Sequence, residues 1–365
     1  MHVHGISPLI REERDNGNDA YHAVDVKQVG RELGVRYVLE GSVRKSDNQV
    51  RIAAQLIDAT TAAHLWADRF DGGMDNLFDL QDRITASVVN AIAPTLQQAE
   101  IERAKRKPTE NLDAYDYFLR AMANFHRWTR EATCETLRLC HKAIQLDPDF
   151  ALAYAVAGFC YVARKMNGWM TDRDQEIAEA KRLGLRAAEL GRDDADALAK
   201  AGYVLARVVG EVEGGVALVD RALALNPNLA AAWHYSGWMR IWLGLPDSAI
   251  QHFATAMRLS PLDTTLFLMQ EGTAWGHFFA GRYDDAASWA AKALRENLTY
   301  PGPARAAAAS NALAGNLEAA QQAMARVRQL DPNLHLSNLN ERVPFCRPED
   351  LARYADGLRK AGLPE

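Results

Sequence analysis

The chain has 365 residues, of which 48% are hydrophobic and 24% are charged. This composition excludes a collagen, a wholly disordered chain and a small disulfide-rich protein. The formal net charge is −5, so the chain lacks the basic character that nucleic-acid binding by charge requires. The four cysteines form no CxxC pair and two of them lie at apolar helical positions, so reduced, buried thiols are expected.

The start of the chain has no basic segment followed by a long apolar one, as a secretory signal would. The most apolar stretch, residues 228–245, contains His234, Ser236 and Arg240, so a membrane span is not expected. The sequence therefore predicts a soluble, cytoplasmic protein with neither a membrane nor a nucleic acid as its partner.

The first hundred residues predict a small α/β domain. VKQVGRELGV (26–35) predicts a short helix closed by Gly34. Two alternating segments flank the turn KSDN and predict a β-hairpin. AHLWADRF (63–70) extends or follows the second strand, and residues 77–107 predict one long helix, bent near Pro94. The inward-facing residues of the hairpin are Tyr37, Leu39, Val43, Val50, Ile52, Ala54 and Leu56.

The rest of the chain carries an internal repeat. Several segments share a helix end made of an apolar residue, a polar residue and often proline. They are AIQLDP (143–148), AAELGR (187–192), ALALNP (222–227), AMRLSP (256–261), ALREN (293–297) and VRQLDP (327–332). Their last residues are 44, 35, 34, 36 and 35 residues apart. This is the length of the tetratricopeptide repeat, so the pattern predicts a solenoid of about six helix pairs.

The copy from Ala230 to Pro261 shows the repeat best. Small residues stand where its two helices would approach closely, and Trp233 and Phe253 are expected to fill the volume between repeats. About ten extra residues around 165–176 predict a longer helix or loop at one edge. Residues 348–360 predict a final amphipathic helix that covers the last apolar surface.

Several long motifs then point to a known family. VDVKQVGRELGVRYVLEGSVRK, QLIDATTAAHLWADRFD and ERAKRKPTENLDAYDYFLRA closely resemble the C-terminal, non-catalytic half of bacterial class III adenylate/guanylate cyclase-like proteins. The resemblance covers residues 24–365 and implies a TolB-like α/β domain followed by tetratricopeptide repeats. Residues 1–23 do not resemble the cyclase domain that usually precedes this region, so no catalytic residue, metal ligand or cofactor is carried over.

The resemblance also sets the expected domain organisation. The family's TolB-like domain begins with a strand and helix that are not expected in this chain, so its sheet is expected to have an open edge. Such an edge favours self-association through the truncated N-terminal sheet. The expected segments are a flexible N terminus (1–23), a TolB-like α/β domain (24–98), a charged helical linker (99–111), about six repeats (112–345) and a C-terminal capping helix (346–365).

Aromatic residues on the first helix of each repeat are the candidates for partner binding. In tetratricopeptide repeats the first helix lines a concave groove, and exposed rings in such a groove bind the anchor side chains of peptides. The alternative is that the rings pack between repeats as core, and helical periodicity does not separate the two. The candidates are Phe159, His234, Trp238, Ile241, Trp242 and Trp275.

Together these features predict a mainly α-helical, non-catalytic protein-interaction or regulatory module that binds a protein or peptide. One alternative is a part of an adenylate cyclase whose catalytic domain is missing from this chain or encoded upstream. The other is the effector half of a transcriptional regulator, although residues 11–15 offer no basic recognition helix.

Overall fold

The computed structural model describes residues 6–12, 25–46, 48–73, 92, 95–96, 98–105, 112–125, 127, 129–261, 263, 265–342 and 346–365. The chain divides into two units, residues 1–106 and 107–365. The first unit contains a sheet and the second is helical.

The first unit is built on a four-stranded sheet with the strand order β1-β2-β3-β4. β1 runs parallel to β2, and the other neighbours are antiparallel. Helix α1 begins after Asp25, whose side chain accepts a hydrogen bond from the backbone of Lys27. It ends at Gly34 with φ of 65°, the left-handed conformation that glycine adopts most readily. The elements are β1 (Ile6–Glu12), α1 (Val26–Leu33), β2 (Tyr37–Ser46), β3 (Gln49–Asp58) and β4 (Ala63–Gly73).

The predicted hairpin is confirmed, and its register pairs Leu39 with Leu56. Leu56 packs against Ile92 and Leu96, which belong to the helical residues described between 92 and 105. The alternation predicted too little burial for the opposite face of the sheet. Val38, predicted to point away from the core, is fully buried and pairs with buried Ile57.

The expectation for the N terminus is corrected. Residues 6–12 are not a flexible tail: they form β1, which occupies the edge of β2 that the sequence left open. Pro8 has no backbone N–H, and it is tolerated because β1 is itself an edge strand. Of the two alternatives for AHLWADRF, it follows the second strand: it is the separate strand β4, which pairs with β3 across a register shift at residues 56–57. Most of the bend expected near Pro94 lies outside the described residues.

The second unit is a tetratricopeptide-type α-solenoid, and the predicted fold class is confirmed. Its described residues form six helix pairs. From the second pair to the sixth, the first helix of each pair contacts the first helix of the next. The pairs are α2 (Ala114–Phe125) with α3 (Arg130–Leu146), α4 (Ala151–Met166) with α5 (Arg173–Leu190), α6 (Ala195–Val204) with α7 (Val212–Leu225), α8 (Ala230–Trp242) with α9 (Pro246–Leu259), α10 (Leu266–Phe279) with α11 (Tyr283–Glu296), and α12 (Pro301–Ala314) with α13 (Leu317–Leu330). A 3₁₀ turn (Leu336–Asn338), α14 (Leu339–Arg342) and α15 (Pro348–Lys360) follow.

The close approach between repeats depends on one ring between two glycines. Phe253 of α9 is fully buried between α8 and α10. A Cβ on Gly237 would lie 2.7 Å from Cε1 of this ring, and a Cβ on Gly272 would lie 2.5 Å from the same atom. The predicted need for small residues at these helix contacts is therefore confirmed. Trp233 does not share this role: its half-buried indole donates a hydrogen bond to the Pro227 carbonyl over 2.8 Å.

The described residues of the C-terminal segment, 336–342 and 346–365, lie across the first helices of several pairs. Tyr354 of α15 packs edge-on against Trp275 of α10, with 4.9 Å between ring centroids. Upstream of α15, the backbone N–H of Cys346 donates to the Trp242 carbonyl, and Arg347 donates to the Gly244 carbonyl. The expected capping helix thus covers the face formed by α8, α10 and α12, which we call the inner face.

Candidate functional site

A cavity of about 30 Å³ lies on the inner face between the first helices and α15. Five of the six helices that contribute to it are first helices of successive pairs, and Tyr354 of α15 closes one side. By volume the cavity holds about two water-sized groups. Its aromatic wall consists of Tyr203, Trp238, Trp242, Trp275, Phe279 and Tyr354.

An interruption in helix α6 places a cation in this wall. After Val204 the helix continues as a π-helical turn, Leu205–Val209, which ends at Gly210 with φ of 93°. Such turns insert an extra residue into a helix and often occur at functional sites. Arg207 lies in the turn and is 4% exposed, with its guanidinium 5.3 Å from the centre of the Trp242 ring. Among the described residues, its Nε and Nη1 atoms have no hydrogen-bond partner.

The acidic group of the cavity is Glu271 of α10. Its Oε1 accepts a hydrogen bond from Trp275 Nε1 over 3.3 Å, whereas Oε2 has no partner among the described residues. Burial raises the pKa of Glu271 to about 7, and the positive charges of Arg305 and Arg207 only partly offset this effect. Gly302 leaves room for this carboxyl group, because a Cβ there would overlap Oε1.

The wall therefore contains more positive than negative charge. Arg207 and Arg305 are both more than nine-tenths buried, and Glu271 is the acidic residue among the cavity's lining residues. Beside Arg207, the ammonium of Lys165 donates to the Val208 carbonyl over 2.9 Å, and burial lowers the pKa of Lys165 to about 8. In a low-dielectric pocket this excess of cations favours a bound anion.

The structure buries all six predicted groove residues, which favours the packed alternative over an exposed groove. Trp238, Trp242 and Trp275 line the cavity, and the C-terminal segment covers their side of the first helices. The remaining three lie in the packing between helices and away from the cavity. A role of any of the six in partner binding stays a prediction. The three packed residues are Phe159, His234 and Ile241.

His234 shows what this burial does to a polar side chain. Its Nε2 accepts a hydrogen bond from Trp238 Nε1 over 3.0 Å. Because the imidazole is removed from water, its pKa is lowered to about 4. The neutral ring therefore acts as a packing and acceptor group that holds the Trp238 indole in place.

Sequence reasoning missed the charged residues of the cavity. Each lies within an apolar helical segment, namely GYVLARVV (202–209), FLMQEGTAW (267–275) and PARAAAAS (303–310). A charged residue inside such a segment is seldom buried without a partner, and that signal could have identified Arg207, Glu271 and Arg305. Tyr354 carries no such signal, because its place in the wall depends on the path of the C-terminal segment. Among the described residues, no group of three or more histidine, cysteine or acidic residues could hold a metal ion.

Comparisons with known proteins support the fold and leave the activity open. No family model matches the chain. It is 36% identical over 172 residues to putative adenylate cyclase 3 of Rhizobium meliloti (strain 1021), an alignment that covers 47% of this chain and 29% of the relative. The match thus spans less than a third of that relative's length.

One solved structure shows similarity of fold. A chain of the APC/C hetero-tetramer Cut9–Hcn1 superposes with a TM-score of 0.53 at 14% identity, covering 78% of this chain and 49% of that chain. The type IV pilus biogenesis factor PilW gives a TM-score of 0.45 at 17% identity, covering 60% of this chain and 94% of that one. No helix among the residues described is long and apolar enough to cross a bilayer.

Proposed function

We propose that the chain is a non-catalytic interaction module that binds a segment of a partner protein at the inner face of its solenoid. The observation that carries the proposal is the cavity, where aromatic rings surround a buried arginine without a hydrogen-bond partner among the described residues. Aromatic and arginine side chains in desolvated pockets supply most of the energy of protein interfaces. The partner contributes an anchoring side chain to this cavity, and no bond is made or broken.

Trp238 offers the direct test of this function. It lines the cavity, whereas Trp233, five positions earlier on the same helix, is half-buried outside the cavity lining. We expect Trp238→Ala to abolish recovery of the partner from an extract of the source cells and Trp233→Ala to retain it. Truncation of a buried tryptophan costs about 3–5 kcal/mol, so Trp238→Phe and a circular dichroism melt separate lost folding from lost binding. Recovery of the same proteins by folded Trp238 and Trp233 variants would contradict the proposal.

The second proposal concerns the larger protein to which this function belongs. The chain's likeness to putative adenylate cyclase 3 favours a regulatory role within a cyclase-like signalling system, in which a TolB-like domain and tetratricopeptide repeats accompany a class III cyclase. A cytoplasmic location accords with this role and stays a prediction. An assay for conversion of ATP to cyclic AMP by the purified chain should give no product, and reading the DNA upstream should reveal a cyclase reading frame. Product formation by the chain alone would contradict the non-catalytic role.

A further inference from the structure

The inference begins with the unsatisfied donors of the cavity. Arg207 Nε and Nη1 and Trp242 Nε1 are buried and have no hydrogen-bond partner among the described residues. Buried donors of this kind are uncommon in native proteins, and a charged guanidinium is the most costly of them. Here the donors belong to two side chains that line the same cavity. Their arrangement points to an acceptor that occupies the space between them.

The second cation gives the site its charge. Arg305 of α12 lines the cavity and is 6% exposed. Within the described part of the chain, neither Arg207 nor Arg305 has a carboxylate within ion-pair distance. Glu271 acts on both through longer-range attraction only. An anion placed between the two guanidinium groups would supply the missing close contacts.

The charged and titratable groups around the site do not reverse its excess of positive charge. On the side of Arg207, Lys165 and Arg173 add positive charge and Glu341 opposes it. On the side of Arg305 the nearby groups are the phenols of Tyr300 and Tyr354 and the carboxyl of Asp331. The phenols are neutral near neutral pH, because burial raises their pKa. The space between Arg207 and Arg305 thus keeps an excess of positive charge.

Size and shape favour one class of anion. The cavity of about 30 Å³ has room for a small anionic group and is too small for a nucleotide. A guanidinium is planar and presents paired donors that match the two oxygens of a carboxylate. Glu271 also lies in the wall, where its ionised form repels a doubly charged ligand and its neutral form can donate a hydrogen bond to a singly charged one.

We propose that the cavity binds a carboxylate group between Arg207 and Arg305, with Trp242 Nε1 as a further donor. The carboxylate comes from an aspartate or glutamate of the partner segment, and in this respect the inference rests on the proposed function. The binding of the group itself can be measured without any partner, so the two proposals can fail separately.

The test uses the full-length chain with indole ¹⁵N NMR, in which Trp242 reports on the cavity. Sodium acetate is titrated against sodium chloride and sodium phosphate at equal ionic strength. We expect saturable shifts of the Trp242 indole with acetate, and weaker or no binding of phosphate and chloride. Tighter binding of phosphate than of acetate, or the absence of any saturable shift, would overturn the proposal.

Variants establish which residues hold the acetate. Arg207→Met and Arg305→Met should each weaken acetate binding at least about tenfold, because each removes one charge-assisted contact. Replacing an unpaired buried charge by an apolar side chain is often neutral or stabilising, so both variants should fold. Arg258→Met, at an exposed position of α9, is the matched control and should bind like the unaltered protein. Unchanged acetate binding in folded Arg207→Met and Arg305→Met would refute the site.

A pH series tests the part of Glu271. The neutral fraction of a carboxyl with a pKa of about 7 rises from about one tenth at about pH 8 to about nine tenths at about pH 6. Acetate affinity should therefore rise about tenfold over this interval, and Glu271→Gln should remove most of the dependence, leaving the smaller part that comes from Lys165, whose pKa is about 8. The same dependence in Glu271→Gln would refute this role.

A final arm separates the two sources of a carboxylate. The probe is a tripeptide, acetyl-Gly-Asp-Gly-amide, whose aspartate carries its one carboxylate. Binding of this peptide with the same loss in Arg207→Met supports an acidic partner segment. Binding of acetate alone supports the carboxylate site, assigns it to a free small molecule and overturns its assignment to a partner.

Discussion

The packing of Phe253 between two glycines gives a quantitative test of the solenoid. In Gly272→Ala, the added Cβ would lie 2.5 and 2.7 Å from Cε1 and Cε2 of the ring, well inside an ordinary carbon–carbon contact. The ring has little room to move away, because it already fills the space of a side chain on Gly237, where a Cβ would lie 2.7 Å from Cε1. We therefore expect an overpacking cost at the upper end of the usual range.

That cost is about 3 kcal/mol, and the better helix propensity of alanine returns about 1 kcal/mol. The net loss of about 2 kcal/mol should lower the melting temperature of the helical unit by about 6 °C, measured by circular dichroism. Phe253→Leu should partly rescue Gly272→Ala, with a coupling of about 1–2 kcal/mol.

Gly214 of α7 is the matched control, because no heavy atom lies within 4 Å of its Cβ position. Gly214→Ala should stabilise the protein by about 0.5 kcal/mol. If Gly272→Ala melts at or above the temperature of the unaltered protein, as Gly214→Ala should, the described contact between repeats is wrong.

Two further predictions follow from buried titratable groups. Cys140 and Cys160 are buried, which raises the pKa of each thiol, whereas Cys134 and Cys346 are exposed. Two thiols should therefore react rapidly with Ellman's reagent in the native protein and four after denaturation; rapid reaction of all four would contradict the burial. Because the pKa of His234 is lowered to about 4, the unfolded chain binds a proton that the folded one excludes, and stability should fall as pH drops from about 6.5 towards 4. Between about pH 7 and about pH 5, the free energy of unfolding of His234→Gln should fall by about 2 kcal/mol less than that of the unaltered protein, as measured by chemical denaturation. Equal losses in the two proteins would refute this source of acid sensitivity.

Much of the helical unit could be predicted because the residues that each repeat buries recur at regular positions in the sequence. The helix ends recur at a nearly constant spacing, and the glycines and Phe253 follow from the contact between neighbouring helices. The hairpin was equally predictable, since its turn and its alternation agree. These features depend on interactions between residues close in sequence.

The rest depended on contacts distant in sequence. Residues 6–12 pair with β2, and residues 346–365 return over the inner face; no local pattern connects these segments with their contacts. The path of the C-terminal segment decides that Trp275 faces Tyr354 rather than solvent. The π-helical turn that directs Arg207 to the cavity likewise has no signature in the spacing of apolar residues. The candidate site therefore emerged from the structure, although three of its tryptophans were identified beforehand.

The most direct test of the account is recovery of the partner by charge variants of the cavity. The unaltered chain, Arg207→Met, Arg305→Met and Arg258→Met are immobilised in equal amounts, and the proteins retained from an extract of the source cells are quantified by mass spectrometry. We predict a protein that is retained by the unaltered chain and by Arg258→Met and is lost with both cavity variants. Equal retention by all four folded proteins would show that the inner-face cavity does not anchor the partner.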